Sequence, residues 1–169
     1  MCKEVLGLIA SALWFILPAY SANATPVVLG GGRPIDGGRK FRDGRPIFGP
    51  GKTIRGFVAG LVAGPVVGAL QGVWAGDVFT YTVIGFLLAL GALTGDLLGS
   101  FIKRRLGISR GGAAPGLDQL GFITLALLFA SSLRLPSWEV VLTIFILTPP
   151  IHLATNFVGY KLGFKSRPY

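Results

Sequence analysis

The chain has 169 residues, of which 51% are hydrophobic and only 14% charged, and it carries a net charge of +9. A soluble domain has about 25% charged residues, so this composition excludes an ordinary soluble globular protein and predicts an integral membrane one. The single cysteine, Cys2, excludes an intrachain disulfide and a multi-cysteine metal site.

Five apolar segments predict an all-α membrane fold of five transmembrane helices, in one membrane-embedded domain spanning residues 1–169. The first runs from Val5 to about Leu29 and contains Pro18 and Pro26. Ala22-Asn23-Ala24 resembles a signal-peptide cleavage site. Lys3 is cancelled by Glu4, however, and seven positive charges follow the segment, which favours a retained helix with its N-terminus outside. The second segment is Phe57–Ala75, where Gly56, Gly60, Gly64 and Gly68 recur every four residues and predict close helix packing. The third is Val78–Ile102, the fourth about Leu117–Leu133, and the fifth Val140–Tyr160, with Pro149-Pro150 in its second half.

The loops set the orientation. The first, about residues 30–56, holds Arg33, Arg39, Lys40, Arg42, Arg45, Lys52 and Arg55. The second, about 103–117, opens with Lys103-Arg104-Arg105, and the tail adds Lys161, Lys165 and Arg167. The other two connections are nearly free of positive charge. All basic loops therefore fall on one side of a five-helix arrangement, and the positive-inside rule makes that side cytoplasmic, with the C-terminus inside. Anionic lipid and topology account for the basic charge, so no nucleic-acid partner is expected. Trp74, Trp138 and Tyr20 are placed in interfacial belts.

The first loop contains an imperfect duplication, Gly32-Arg33-Pro34-Ile35 and Gly44-Arg45-Pro46-Ile47. Exposed N–H groups and guanidinium forks suit phosphate oxygens, which makes Arg39 and Arg42 candidate substrate-binding residues. Asp36 and Asp43 each precede a glycine, so turn chemistry accounts for them; both also stand as candidate substrate-binding groups. Gly51-Lys52-Thr53 ends a stretch that suggests a P-loop, but Pro46 stands where that motif needs glycine. Lys52 and Thr53 remain candidates for phosphate binding without a Walker motif.

The segment Gly95–Gly121 is the most telling. Asp96 lies inside the third apolar segment, about 9 Å from the basic edge at 1.5 Å per residue. An unpaired carboxylate there is costly, so it needs a partner: a cation, a metal ion or a water-filled cavity; a plain salt bridge to Lys103 or an arginine is the structural alternative. Asp118 opens the next segment at the same face. Two carboxylates with room for waters suit Mg²⁺, which keeps several waters and shares phosphate ligands. Asp96 and Asp118 are accordingly the expected metal ligands. Ser100, one turn from Asp96, is on the same helical face. His152, the single histidine, fits helix packing better than catalysis.

Gly95-Asp96, Ser100, Lys103-Arg104, Pro115-Gly116 and Asp118 together resemble the signature of the CTP:phosphatidate cytidylyltransferases. Gly51-Lys52-Thr53-Ile54-Arg55-Gly56-Phe57 resembles an upstream segment of the same family. The five-helix size and the Arg-Pro-Ile-Asp-Gly-Gly loop are most similar to its archaeal branch, the CDP-archaeol synthases. Ser109-Arg110, Gln119 and Arg55 depart from the bacterial pattern. The resemblance implies that CTP condenses with an unsaturated digeranylgeranyl glycerol phosphate, that Asp96, Asp118 and Lys103 are catalytic, and that Arg104 joins the substrate-binding residues. The site is expected at the cytoplasmic face of the cell membrane. A small transporter or flippase for an anionic substrate is the competing expectation, since intramembrane acids and broken helices occur there too.

Overall fold

The computed structural model describes residues 2–168, with the Cys2 side chain outside the described set. Five helices form: α1 Cys2–Leu29, α2 Ile54–Ala75, α3 Val78–Arg105, α4 Leu117–Ala130 and α5 Trp138–Lys161. Among the described residues there is no strand, only two isolated bridges.

Four helices are long and apolar enough to cross a membrane, and α4 is shorter. At 14 residues it is about 21 Å long, below the roughly 30 Å of a hydrocarbon core. It was expected to reach Leu133. The chain instead tightens into a turn, the N–H groups of Ser132 and Leu133 donating to the carbonyls of Phe129 and Ala130, three residues back. α1 and α5 extend the expected segments by one to three residues, and two further boundaries differ near the basic loops. α2 begins at Ile54 because Thr53 caps it. α3 continues through Lys103, Arg104 and Arg105, so these side chains stand on a helix and the second loop starts at Leu106. Cations in a last turn complement the helix dipole, and Gly107, at φ +77°, then reverses the chain.

The interior holds Ala12, Ile16 and Ala19 of α1, Leu88 and Ala92 of α3, Ile123 and Ala126 of α4, and Ile144 of α5. Ala22-Asn23-Ala24 lies within the unbroken α1, and Ala22 is fully buried. Cleavage there would remove four core positions. Outward-facing Val66, Leu70, Leu128 and Ile146 are exposed, as expected of helices that meet lipid. The helix-internal prolines of α1, α2 and α5 do not end their helices, which neighbouring helices in a membrane make tolerable.

The four-residue glycine spacing of α2 is used as close approach. A Cβ on Gly64 would lie 2.3 Å from the Ala89 Cβ, and one on Gly68 would lie 2.3 Å from the Tyr81 carbonyl oxygen. α3 then approaches α4 in the same way through Gly91 and Gly95. Trp74 and Trp138 are exposed, as belts require, but Tyr20 is not a belt residue. Its hydroxyl shares a 2.7 Å hydrogen bond with Thr148, and its ring packs 6.3 Å from Phe122. A phenol with a buried polar partner is more stable inside than at an interface.

Both ends of the bundle are concave. One gathers the first loop, the second loop and the tail around a cavity of about 1240 Å³. The other, between the starts of α1, α3 and α5, holds a smaller cavity of about 650 Å³. All three basic connections thus meet at one end.

Candidate active site

The large cavity is built on α3 and α4. Gly95 has no side chain, and its place is taken by the backbone of Gly121 and Phe122. That contact brings the end of α3 against the start of α4, so Asp96 and Asp118 both line the cavity. Each carboxylate is paired. Lys52 Nζ donates to Asp96 Oδ1 at 2.7 Å and Oδ2 at 2.5 Å. Lys103 Nζ lies 2.7 Å from Asp118 Oδ1, while Asp118 Oδ2 accepts from the Ala114 N–H at 2.9 Å. The expected cation partner of Asp96 is Lys52, not Lys103 or an arginine as a plain salt-bridge reading would have it, and Lys103 serves Asp118. Lys52 is 44 positions from Asp96, so no helical spacing could reveal the pair.

These side chains are 14–30% exposed, open to the cavity rather than to lipid. Ion pairs this open are worth little in themselves, because solvent competes. What they provide is two cations and two anions that can exchange partners when a charged ligand enters.

Thr53 lines the cavity but is occupied. Its hydroxyl accepts the N–H groups of Gly56 and Gly31, each at 3.2 Å, so it caps α2 and ties down the start of the first loop. Ser100 is buried on the cavity wall. Arg104 also faces the cavity, and its Nη1 donates to the Ile108 carbonyl at 2.5 Å. Its Nε is buried with no hydrogen-bond partner.

Asp36, Asp43, Arg39 and Arg42 are not brought to the cavity. Asp36 organises the first loop: Oδ1 accepts from Gly38 at 2.9 Å, and Oδ2 from Phe48 at 3.0 Å and Gly49 at 2.8 Å. Burial acts to raise its carboxyl, but these N–H bonds outweigh it and hold the group below its ordinary value. Asp43 accepts from Arg105 Nη1 at 2.7 Å. The duplicated tetrapeptide has a structural use. Each copy's proline sits in an antiparallel bridge, Pro34 with Thr53 and Pro46 with Lys40, at positions where no N–H is needed. Arg105 then lies over both Phe41 and Phe101, 4.9 Å from each ring centre, and Arg45 reaches back to the carbonyls of Arg104 and Arg105. The two arginines clamp the loop onto the end of α3.

Sequence reasoning missed the contribution of α5 and the tail. His152, Asn156 and Lys165 all line the cavity, and His152 packs its ring 6.0 Å from Phe122. The lone histidine and the late asparagine one turn apart were the available signal. Gln119 has a local task as well, its Oε1 accepting from the Gly116 N–H at 2.6 Å as half of a capping box.

Among the described residues no three His, Cys, Asp or Glu side chains gather as a metal cage. The donor set facing the cavity is two carboxylates. Oxygen donors in that number suit a hard cation that keeps waters and takes its remaining ligands from substrate phosphates, so the residues fit an ion that is shared with a phosphate ligand.

Comparison with known proteins agrees with this geometry. A family model described as CarS-like: CDP-archaeol synthase matches residues 5–169. The CDP-archaeol synthase of Thermococcus gammatolerans is 54% identical over 162 residues, covering 94% of this chain and 95% of its own length. That of Pyrococcus abyssi is 52% identical over 166 residues, 95% and 98% of the two chains. Among solved structures, an intramembrane enzyme for archaeal membrane lipids biosynthesis matches with a TM-score of 0.81 at 46% identity, over 88% of this chain and 94% of that one. With the paired acids, the all-helical bundle and near full-length identity in agreement, the chain belongs to the CarS-like CDP-archaeol synthase family.

Proposed function

We propose that the chain joins CTP to an unsaturated digeranylgeranyl glycerol phosphate at the cytoplasmic face of the cell membrane, giving CDP-archaeol and pyrophosphate. Its family makes it a multi-pass membrane enzyme, a cytidylyltransferase of ether-lipid synthesis rather than a transporter. The observation that carries the residue assignment is that two Lys–Asp pairs, Lys52–Asp96 and Lys103–Asp118, face one cavity at the basic end of an apolar bundle.

A lipid phosphate oxygen attacks the α-phosphorus of CTP, the bond to the α–β bridging oxygen breaks, and pyrophosphate leaves. A phosphate monoester is already a competent nucleophile, so the chain must mainly position charge and neutralise it. Lys52 and Lys103 exchange their carboxylates for phosphate oxygens as substrates enter. Arg104, whose Nε is buried without a partner, offers a further donor at the same wall. Asp96 and Asp118 are the residues that would hold Mg²⁺, which when bound supplies positive charge to the phosphates. Ser100, buried on α3 between Asp96 and Lys103 in the chain, lines the same cavity. Thr53, Asp36 and Asp43 act through the shape of the first loop. Arg39 and Arg42, exposed on the first loop, add to the positive field of the basic end, which raises the local concentration of anionic substrate.

The test uses purified protein with Mg²⁺, each of the four nucleoside triphosphates, and ester- and ether-linked lipid phosphates, with pyrophosphate release as the readout. Release that requires both CTP and the ether-linked lipid is expected. Equal release with any nucleotide, or release without lipid, would overturn the substrate assignment.

A further inference from the structure

Lys165 lies beyond the end of α5, in a tail that otherwise reads as a topology signal. The tail does not leave the bundle. Gly163, at φ +77°, reverses the chain, and the N–H groups of Phe164 and Lys165 both donate to the Gly159 carbonyl, at 2.9 and 3.2 Å. The Lys165 stem then passes over Gly159, where a Cβ would meet its Cγ and Cδ at 3.6 Å. Its Nζ enters the cavity wall and donates to Asn156 Oδ1 at 2.7 Å.

That bond orders its neighbours. An ammonium can only donate, so it takes the oxygen of the amide and leaves Nδ2 for His152, whose Nδ1 lies 3.3 Å away. Nδ2 donates, Nδ1 therefore accepts, and the remaining ring proton of a neutral His152 sits on Nε2. The arrangement runs from tail to helix as cation, amide and imidazole, each link a donor facing an acceptor.

The ammonium itself is not matched by charge. Lys52 and Lys103 each have a carboxylate, whereas the hydrogen-bond partner of Lys165 is a neutral amide. Burial pushes the Lys165 ammonium below its ordinary lysine value, Lys52 and Lys103 push it further, and Asp118 and Asp96 only partly oppose this. A half-buried cation that shares a cavity with two others costs free energy until an anion joins it. Phosphate chemistry in the same cavity supplies such an anion.

We propose that Lys165 is a phosphate-binding residue of the substrate site, with Asn156 as its positioning residue, so that the C-terminal tail completes the cavity. The inference rests on the phosphate-handling reading above, and two sources of phosphate are available, the nucleotide's triphosphate and the lipid's monoester.

The experiment measures equilibrium binding of two ligands, inorganic pyrophosphate and a dialkylglycerol phosphate, to the full-length protein in detergent. Wild type, Lys165→Met, Lys165→Arg and Asn156→Ala are compared. Lys165→Met keeps an apolar stem over Gly159 while removing the charge, so folding is preserved, and the melting temperature checks this. At least one ligand is expected to bind about tenfold more weakly to Lys165→Met, as loss of one charged hydrogen bond implies. Lys165→Arg should recover most of that loss, and Asn156→Ala should lose part of it. Weakening of pyrophosphate alone assigns Lys165 to the triphosphate; weakening of the lipid phosphate alone assigns it to the lipid. Unchanged binding of both ligands by Lys165→Met would overturn the proposal. CTP turnover by wild type is measured separately. If turnover is absent the activity reading fails, and the binding comparison still decides Lys165.

Discussion

Gly95 on α3 and Phe122 on α4 are in backbone contact: a Cβ on Gly95 would lie 2.6 Å from the Phe122 Cα and 2.8 Å from the Gly121 carbonyl oxygen. No side-chain adjustment relieves a clash with backbone, so any larger residue must push the two helices apart. Asp96 follows Gly95 directly, and Asp118 lies one turn before Phe122. The same shift therefore alters the spacing of the two acids. Gly95→Ala should cost about 1–3 kcal/mol of stability, the usual range for overpacking, and reduce cytidylyltransferase activity at least tenfold at temperatures where the protein stays folded. Activity and melting temperature measured on one detergent preparation check this. Wild-type activity in a stably folded Gly95→Ala would refute the link between packing and acid placement.

The two acids themselves give a sharper expectation. Asp96→Asn and Asp118→Asn keep size and remove charge. Each should abolish CTP-dependent pyrophosphate release while leaving membrane insertion and the melting temperature nearly unchanged, because partly open ion pairs contribute about 1 kcal/mol or less. Full activity in either variant would sink the assignment of that residue.

Asp36 is predicted to control the first loop without touching substrate. Its carboxyl is held below the ordinary value by three backbone N–H groups. A carboxylate depressed on folding contributes stability that is full above its unfolded value of about 3.9 and is lost as pH falls through the lower folded value. The loop should accordingly stay protease-resistant at neutral pH and open only in strong acid. Asp36→Asn keeps one oxygen for three donors, and should loosen residues 33–49 by about 2 kcal/mol at neutral pH. Amide hydrogen exchange of that segment reads this directly. Unchanged protection would show that the bridges at Pro34 and Pro46 suffice alone.

Much of this site was legible because the relevant signals are local or costly. Asp96 stands out in the sequence, since an acid within an apolar run is expensive wherever it points. The glycines at 56, 60, 64 and 68 announce a packing face by spacing alone. Three things were not legible. Lys52 and Asp96 meet only after the first loop folds back, and the chain gives no register for that. The shortness of α4 depends on a tight turn at Ser132 and Leu133, whose N–H groups bond three residues back, and this competes closely with continued helix. Tyr20 looks like a belt residue until Thr148, 128 positions away, supplies its partner. The basic loop was read as a phosphate surface, yet its conspicuous arginines divide between structure and site, because guanidinium groups serve carbonyls and aromatic rings as readily as phosphates.

Arg105 tests that division. Its guanidinium lies over the pair Phe41 and Phe101, whose rings meet edge to face at 5.3 Å. Its two terminal nitrogens also reach Asp43 and the carbonyls of Arg45 and Pro46. A lysine offers one charged centre where the site uses a planar fork. Arg105→Lys should therefore release the first loop from α3 and lower activity severalfold, even though charge is kept. Asp43→Asn, which removes only the partly exposed ion pair, should cost below about 1 kcal/mol and leave activity near wild type. Limited proteolysis between residues 36 and 49, run beside turnover, separates the two. If Asp43→Asn opens the loop as fully as Arg105→Lys, the ion pair rather than the stacked fork is what fastens it.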